Sequence, residues 1–138
     1  MNENIIETAY LIDDDRIYLY TAERFIKYLK LCKNIKVYRD AQTALNQLSK
    51  ELSIEDSPDI ILLDINMPVM DGWQFLEEFK KIHPKLKKKP TIYLVTSSVL
   101  PSDIEKAKSI SLVSDYIVKP VTPEGLEKIF KSIKNKSS

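Results

Sequence analysis

The stretch 59-DIILLDINMPVMDGW-73 decides how this chain folds. Ile60 to Leu63 are apolar without polar alternation, the pattern of a short strand covered on both faces, as in a parallel sheet. Asn66, Pro68, Asp71 and Gly72 then break the run, and an amphipathic segment follows. The strand delivers Asp64 to its carboxyl end, where open α/β sheets hold their ligands. Asp64 reads either as a nucleophile that accepts a phosphoryl group or as a cap of the strand or turn. The stretch alone leaves both open.

Outward from it, strand and helix signals alternate. Residues 5–13 read as a first strand, followed at its carboxyl end by Asp13, Asp14 and Asp15. Ile17, Leu19, Tyr20, Phe25, Ile26, Tyr28 and Leu29 fall near helical spacing over 17–31, and Cys32 lies near the end of that pattern. Asn34 is read as the helix stop before a second strand at 35–39. Asp40 is placed as N-cap of a helix over 41–52 whose Ala41, Ala44, Leu45 and Leu48 share a face. A polar connection leads into the strand at Ile60–Leu63. The third helix spans about 72–82, with Asp71 and Gln74 spaced as a capping box.

Residues 83–90, HPKLKKKP, form a loop between two prolines, and a solvated loop is the ordinary reading of so short a basic run. His83, with no second His or Cys nearby in the sequence, is read as a surface residue. TIYLVTSS (91–98) is a fourth strand. Ser102 and Glu105, again at capping-box spacing, open a fourth helix beside Pro101. DYIVK (115–119) is a fifth strand stopped by Pro120, and Thr122 with Pro123 launches the last helix. Such alternation with short connections requires crossover helices and a parallel sheet. The expected fold is a doubly wound five-stranded α/β sheet, (βα)5 flavodoxin-like, in strand order 2-1-3-4-5. One domain is expected over 1–138, with a core at about 5–134 and a polar tail at 135–138.

Composition narrows the function classes. The 138 residues carry 21 Lys plus Arg against 20 Asp plus Glu, so no global field favours nucleic acid or a membrane surface. The single Cys excludes an internal disulfide and a multi-Cys metal site, and Cys32 is read as a buried, inert thiol. No secretory signal is visible, and no apolar run approaches the roughly 20 residues needed to span a bilayer. The expected setting is the cytoplasm.

The strand ends carry the chemistry. The first supplies Asp13 and Asp14, the third Asp64, the fourth Thr96 and the fifth Lys119. Carboxylates converging in one crevice repel one another unless a cation neutralises them. An oxygen-only donor set points to a hard ion such as Mg²⁺. A lysine and a hydroxyl nearby suit the charge on a transferring phosphoryl group, with Asp64 as the in-line nucleophile. Each residue also has a plain structural role open to it, as a helix cap, a satisfied strand end or a solvated lysine. Four strand ends converging on one chemistry favour the functional reading.

The motifs LIDDD, LLDINMPVMDG, LVTSS and DYIVKP, in this order, closely resemble the receiver domain of bacterial response regulators, of the stand-alone chemotaxis-regulator-like type. The resemblance covers essentially the whole chain. It implies that Asp64 is the phospho-acceptor. It also implies that Asp14 is the direct Mg²⁺ ligand, Asp13 acts through water, and Asn66 contributes its backbone carbonyl. Thr96 would be the switch hydroxyl, Lys119 the lysine that pairs with the phosphoryl group, and Tyr116 the aromatic switch that turns inward on activation. A cis Lys119–Pro120 bond is implied as well. Asn66 and Ser98 stand where the family tunes the phosphoryl lifetime.

The function this implies is a single-domain response regulator of a two-component phosphorelay. A sensor histidine kinase or a His phosphotransfer protein would donate the phosphoryl group, and a downstream protein target would read the face of the fourth helix, fifth strand and fifth helix. Onward phosphotransfer is the other possible output. Such domains catalyse their own phosphorylation and dephosphorylation without being conventional enzymes. Nucleic acid and membrane insertion are not expected. The alternative is a degenerate receiver acting as a constitutive interaction module. A flavin carrier of the same topology is disfavoured, because Asp13, Asp14 and Asp15 occupy the loop that would meet its phosphate. A Mg²⁺-dependent hydrolase lacks an evident general acid.

Overall fold

The structure, a computed structural model, describes residues 6–50 and 57–137. Ile5 of the expected first strand, the end of the second helix at 51–52, most of the connection after it and the terminal Ser138 lie outside those residues. The elements are β1 (Ile6–Ile12), α1 (Arg16–Tyr28), β2 (Cys32–Tyr38), α2 (Ala41–Lys50), β3 (Ile60–Leu63), α3 (Gly72–Ile82), β4 (Thr91–Thr96), α4 (Pro101–Lys108), β5 (Val113–Val118) and α5 (Pro123–Ser137). A single 3₁₀ turn covers His83–Lys85. The five strands are parallel in the order β2-β1-β3-β4-β5. This is the flavodoxin-like arrangement expected from the strand–helix alternation.

Each face of the sheet has its own core, because β1, β3 and β4 are apolar on both sides. Leu11, Leu62 and Val95 pack with Leu19, Ile26, Leu126 and Phe130 of α1 and α5. Ile12, Leu63 and Leu94 pack with Leu45, Leu48, Phe75, Phe79 and Ala107 of α2, α3 and α4. Burying a side chain of this kind contributes about 1.5–3 kcal/mol, so the two layers anchor the central strands β1, β3 and β4. Ile12 lies beside Leu63, and Leu63 beside Leu94. That register brings the residues that follow β1, β3 and β4 level with one another.

Several caps stand where the sequence puts them. Asp40 accepts from Thr43 N at 2.8 Å, Asp71 and Gln74 form a reciprocal capping box, and Thr122 Oγ1 accepts from Gly125 N at 2.9 Å. Other expectations need correction. Asp15 caps α1 through Ile17 N and Tyr18 N, which turns Tyr18, Leu19, Ala22 and Ile26 inward and leaves Ile17, Tyr20 and Tyr28 exposed. The expected apolar face was therefore out of phase at those three positions. α1 stops at Tyr28 rather than near Asn34. Lys30 takes φ 54°, with Lys30 N bonded to Lys27 O and Leu31 N to Ile26 O, a Schellman closure without glycine. Cys32 and Asn34 consequently lie in β2, and Cys32 is half-buried.

α4 begins with Leu100 as N-cap and Pro101 at its first position, so Ser102 lies inside the helix and forms no capping box with Glu105. The lysine-rich loop is half structured: Leu86 is buried, Lys88 pairs with Asp59, and the His83 ring, itself half-buried, packs 5.7 Å from Phe79. α5 continues to Ser137, which makes the expected tail largely helical. The Lys119–Pro120 bond is cis, as the resemblance implied.

Candidate functional site

The carboxyl edge of the sheet gathers the acids. Asp13 N donates to Tyr38 O and Asp64 N to Ile12 O, each at 3.0 Å, so the ladder itself sets both residues side by side. One carboxylate oxygen from each of Asp13, Asp14 and Asp64 falls within 4.8 Å of the others. Asp13 is wholly buried and Asp64 nearly so, while Asp14 stands exposed at the mouth. The start of α3 closes the floor, where Gly72 N donates to Ile65 O at 2.8 Å. A Cβ on Gly72 would stand 2.5 Å from the Asp64 carbonyl oxygen, so only glycine permits this approach.

Lys119 is the counter-charge. Its Nζ lies 2.8 Å from Asp13 Oδ2, 3.7 Å from Asp15 Oδ2 and 3.8 Å from Asp64 Oδ2. The backbone reinforces its position, with Lys119 N donating to Thr96 O at 2.8 Å. One ammonium does not satisfy three carboxylates. Asp13 Oδ1 accepts from Asp15 N, but Asp13 Oδ2 has the Lys119 contact without hydrogen-bond alignment. Burial pushes the Asp13 carboxyl up to about 6, assisted by the Asp64 charge and opposed by Lys119 and the Asp15 N–H. An under-satisfied buried oxygen in an all-carboxylate cluster is what a hard, oxygen-seeking cation completes. The residues present fit Mg²⁺.

The remaining predicted residues surround this centre. Asn66 is exposed on the loop after β3, and its N–H approaches Asp64 Oδ1 at 3.4 Å. Thr96 is fully buried at the end of β4, its hydroxyl accepting from Ser98 N at 3.3 Å. Tyr116, half-buried on β5, points under the loop between β4 and α4 and donates its hydroxyl to Ser98 O at 2.9 Å. Ser98 Oγ in turn donates to Asp103 Oδ2 at 2.6 Å in the first turn of α4. The structure therefore brings Asp13, Asp14, Asp64 and Lys119 together, with Asn66 beside them. Thr96 stands on the adjoining strand, and Tyr116 reaches the loop that follows Thr96. Two neighbours were missed: Asp15, which caps α1 and also faces Lys119, and Tyr18, whose ring lies under the Lys119 ammonium. The third acid of the 13–15 run and its N-cap position were the available signal for Asp15. Nothing in the spacing marked Tyr18. Cys32 lies elsewhere, its thiol pushed up to about 11 by burial and by the Asp59 charge, which keeps it unreactive.

Five parallel strands, a reversal of strand order at β1, with β2 added on one side and β3 on the other, and an acidic crevice at that switch point define a flavodoxin-like α/β domain with a cation-accepting site. The family model for the response regulator receiver domain matches residues 9–131, and the chain belongs to that family. Its relatives include the protein described as "Probable methanogenesis regulatory protein FilR2" of Methanothrix harundinacea, 29% identical over 90% of this chain and 79% of its own length. Response regulator Rcp1 of Synechocystis is 32% identical over 63% of this chain and 60% of its own. Among solved structures, a two-component response regulator from Cytophaga hutchinsonii superposes with a TM-score of 0.86 at 30% identity, over 95% of this chain and 98% of that one. Receiver domains work with histidine kinases or phosphotransfer proteins in two-component signalling and generally bind Mg²⁺ at an acidic site. No helix among the described residues is long and apolar enough to cross a membrane.

Proposed function

We propose that this receiver accepts a phosphoryl group on Asp64 from the phosphohistidine of a kinase or phosphotransfer protein. A carboxylate oxygen of Asp64 forms the new P–O bond while the P–N bond to the donor imidazole breaks, and the leaving nitrogen keeps the electron pair and takes up a proton. The observation that carries this reading is the cluster itself: oxygens of Asp13, Asp14 and Asp64 within 4.8 Å of one another, with the Lys119 ammonium beside Asp13 and Asp64. Asp14 and Asp64, with Asp13 through water and the Asn66 carbonyl, would hold Mg²⁺. When bound, the ion neutralises the acids and the equatorial phosphoryl oxygens. Lys119 pairs with the phosphoryl group, and the Thr96 hydroxyl turns toward it.

The signal passes along β4 and β5. Thr96 O holds Lys119 N, and Tyr116 holds the carbonyl of Ser98 two residues beyond Thr96. Movement of Thr96 therefore reaches α4 through Ser98 and Asp103, and the face of α4, β5 and α5 changes its affinity for a protein target. Intact mass after incubation with acetyl phosphate tests the acceptor. The expected result is a Mg²⁺-dependent gain of one phosphoryl group, absent in Asp64→Asn. If the native protein shows neither that gain nor Mg²⁺-dependent beryllofluoride binding, a constitutive interaction module replaces this reading.

A further inference from the structure

Lys119 stands over the face of Tyr18, its Nζ 4.5 Å from the ring centroid. The ring is 7% exposed and packs with the α1–α5 core, so it is a fixed floor rather than a mobile surface group. Asp15 sets its position directly, because Asp15 Oδ1 accepts from Tyr18 N at 3.1 Å. The same carboxylate reaches toward the ammonium through Oδ2. Ring and cap thus locate one cation from below and from the side, while Asp13 and Asp64 attract it from the sheet.

The Tyr18 hydroxyl is buried and has no hydrogen-bond partner among the described residues. A leucine or methionine would fill a core position without burying a hydroxyl, so simple packing does not account for an aromatic here. The π face does. An ammonium held only by carboxylates would follow whichever acid is unneutralised. A cation occupying the acid cluster weakens the attraction of Asp13 and Asp64 for Lys119, and Lys119 must then still be in reach of the incoming phosphoryl group. The ring is uncharged and is unaffected by that neutralisation, so it retains the ammonium throughout.

We propose that Tyr18 is a positioning residue, whose ring face keeps the Lys119 ammonium at the mouth of the acid crevice for phosphoryl transfer to Asp64. The proposal rests on Asp64 being the acceptor. Its consequence is that the ring matters and the hydroxyl does not. With acetyl phosphate and Mg²⁺, Tyr18→Phe phosphorylates within about twofold of wild type, and Tyr18→Leu is about three- to thirtyfold slower, the range from an exposed to a desolvated cation–π contact. Wild-type rate in Tyr18→Leu overturns the proposal. So does an equal loss in Tyr18→Phe, which would assign the role to the hydroxyl.

A second measurement does not depend on phosphorylation or on the leucine variant folding. The Lys119 ε-methylene protons should show an upfield ring-current shift in wild type and Tyr18→Phe, with and without Mg²⁺. Random-coil shifts in wild type overturn the proposal. Failure of wild type to take up phosphate with this ring-current shift intact would count against Asp64 as acceptor, and against the transfer role of Tyr18 along with it, leaving only a structural contact.

Discussion

Asp59 precedes β3 and Asp64 follows it, and the four apolar residues between them separate two opposite uses of a carboxylate. Asp59 Oδ2 accepts from Glu7 N at 2.9 Å and Thr8 N at 3.0 Å, and Oδ1 pairs with Lys88 at 3.1 Å. Every strong acceptor position has a protein donor, and the group ties β1, β3 and the lysine-rich loop together. Asp64 and its neighbour Asp13 share Lys119 with Asp15 and crowd Asp14. A carboxylate that the protein satisfies is structure. Carboxylates gathered in excess of their donors hold electrostatic strain that a bound cation would relieve.

Matched substitutions break this comparison most sharply. Asp64→Asn abolishes phosphorylation by acetyl phosphate in an intact-mass assay, whereas Asp59→Asn leaves it at wild-type level. Next in size is Gly72→Ala. Its Cβ meets the Asp64 carbonyl and the Ile65 Cα, so chemical denaturation should show a loss of about 3 kcal/mol, and the acid crevice should be displaced with it.

The pH dependence of the metal-free protein is smaller. The Asp13 carboxyl is raised from 3.8 to about 6 in the folded state, so the fold binds its proton more tightly than the unfolded chain does. The stabilisation from this group is complete below about pH 4 and is lost as the pH rises through about 6, on the order of 3 kcal/mol. Thermal melts in chelator at pH 5 and pH 7 should show a loss for wild type that is reduced in Asp13→Asn. The smallest effect is the stability cost of Asp59→Asn, about 1 kcal/mol from the half-exposed Lys88 pair, and it should shrink in high salt.

Much of the site was legible because its parts are separate short signals. Each of the apolar strands β1, β3 and β4 ends at or just before a residue of the candidate site, and a parallel sheet with short crossovers has few ways to place those ends except along one edge. β3 and α3, with the Asp71–Gln74 box, matched to the residue. The phase of α1 was harder to read. Ile17, Tyr20 and Tyr28 are apolar yet face outward, and the decisive residue was Asp15, whose cap fixes where the helix begins. The end of α1 was hidden because a lysine, not a glycine, takes the left-handed position at residue 30. α4 misled because Ser102 and Glu105, at capping spacing, both lie inside a helix that Pro101 starts after Leu100. Tyr18 under Lys119 joins residues 101 positions apart through tertiary packing, which no local pattern encodes.

The most direct test of the central claim is a Mg²⁺ titration followed by thermal unfolding at pH 7.5. If the acid cluster is a site short of positive charge, Mg²⁺ raises the unfolding temperature of wild type by about 5 °C at saturation. Asp59→Asn responds equally, and the Asp13→Asn, Asp14→Asn double variant does not respond. A flat titration in wild type, or an undiminished rise in the double variant, would contradict the account.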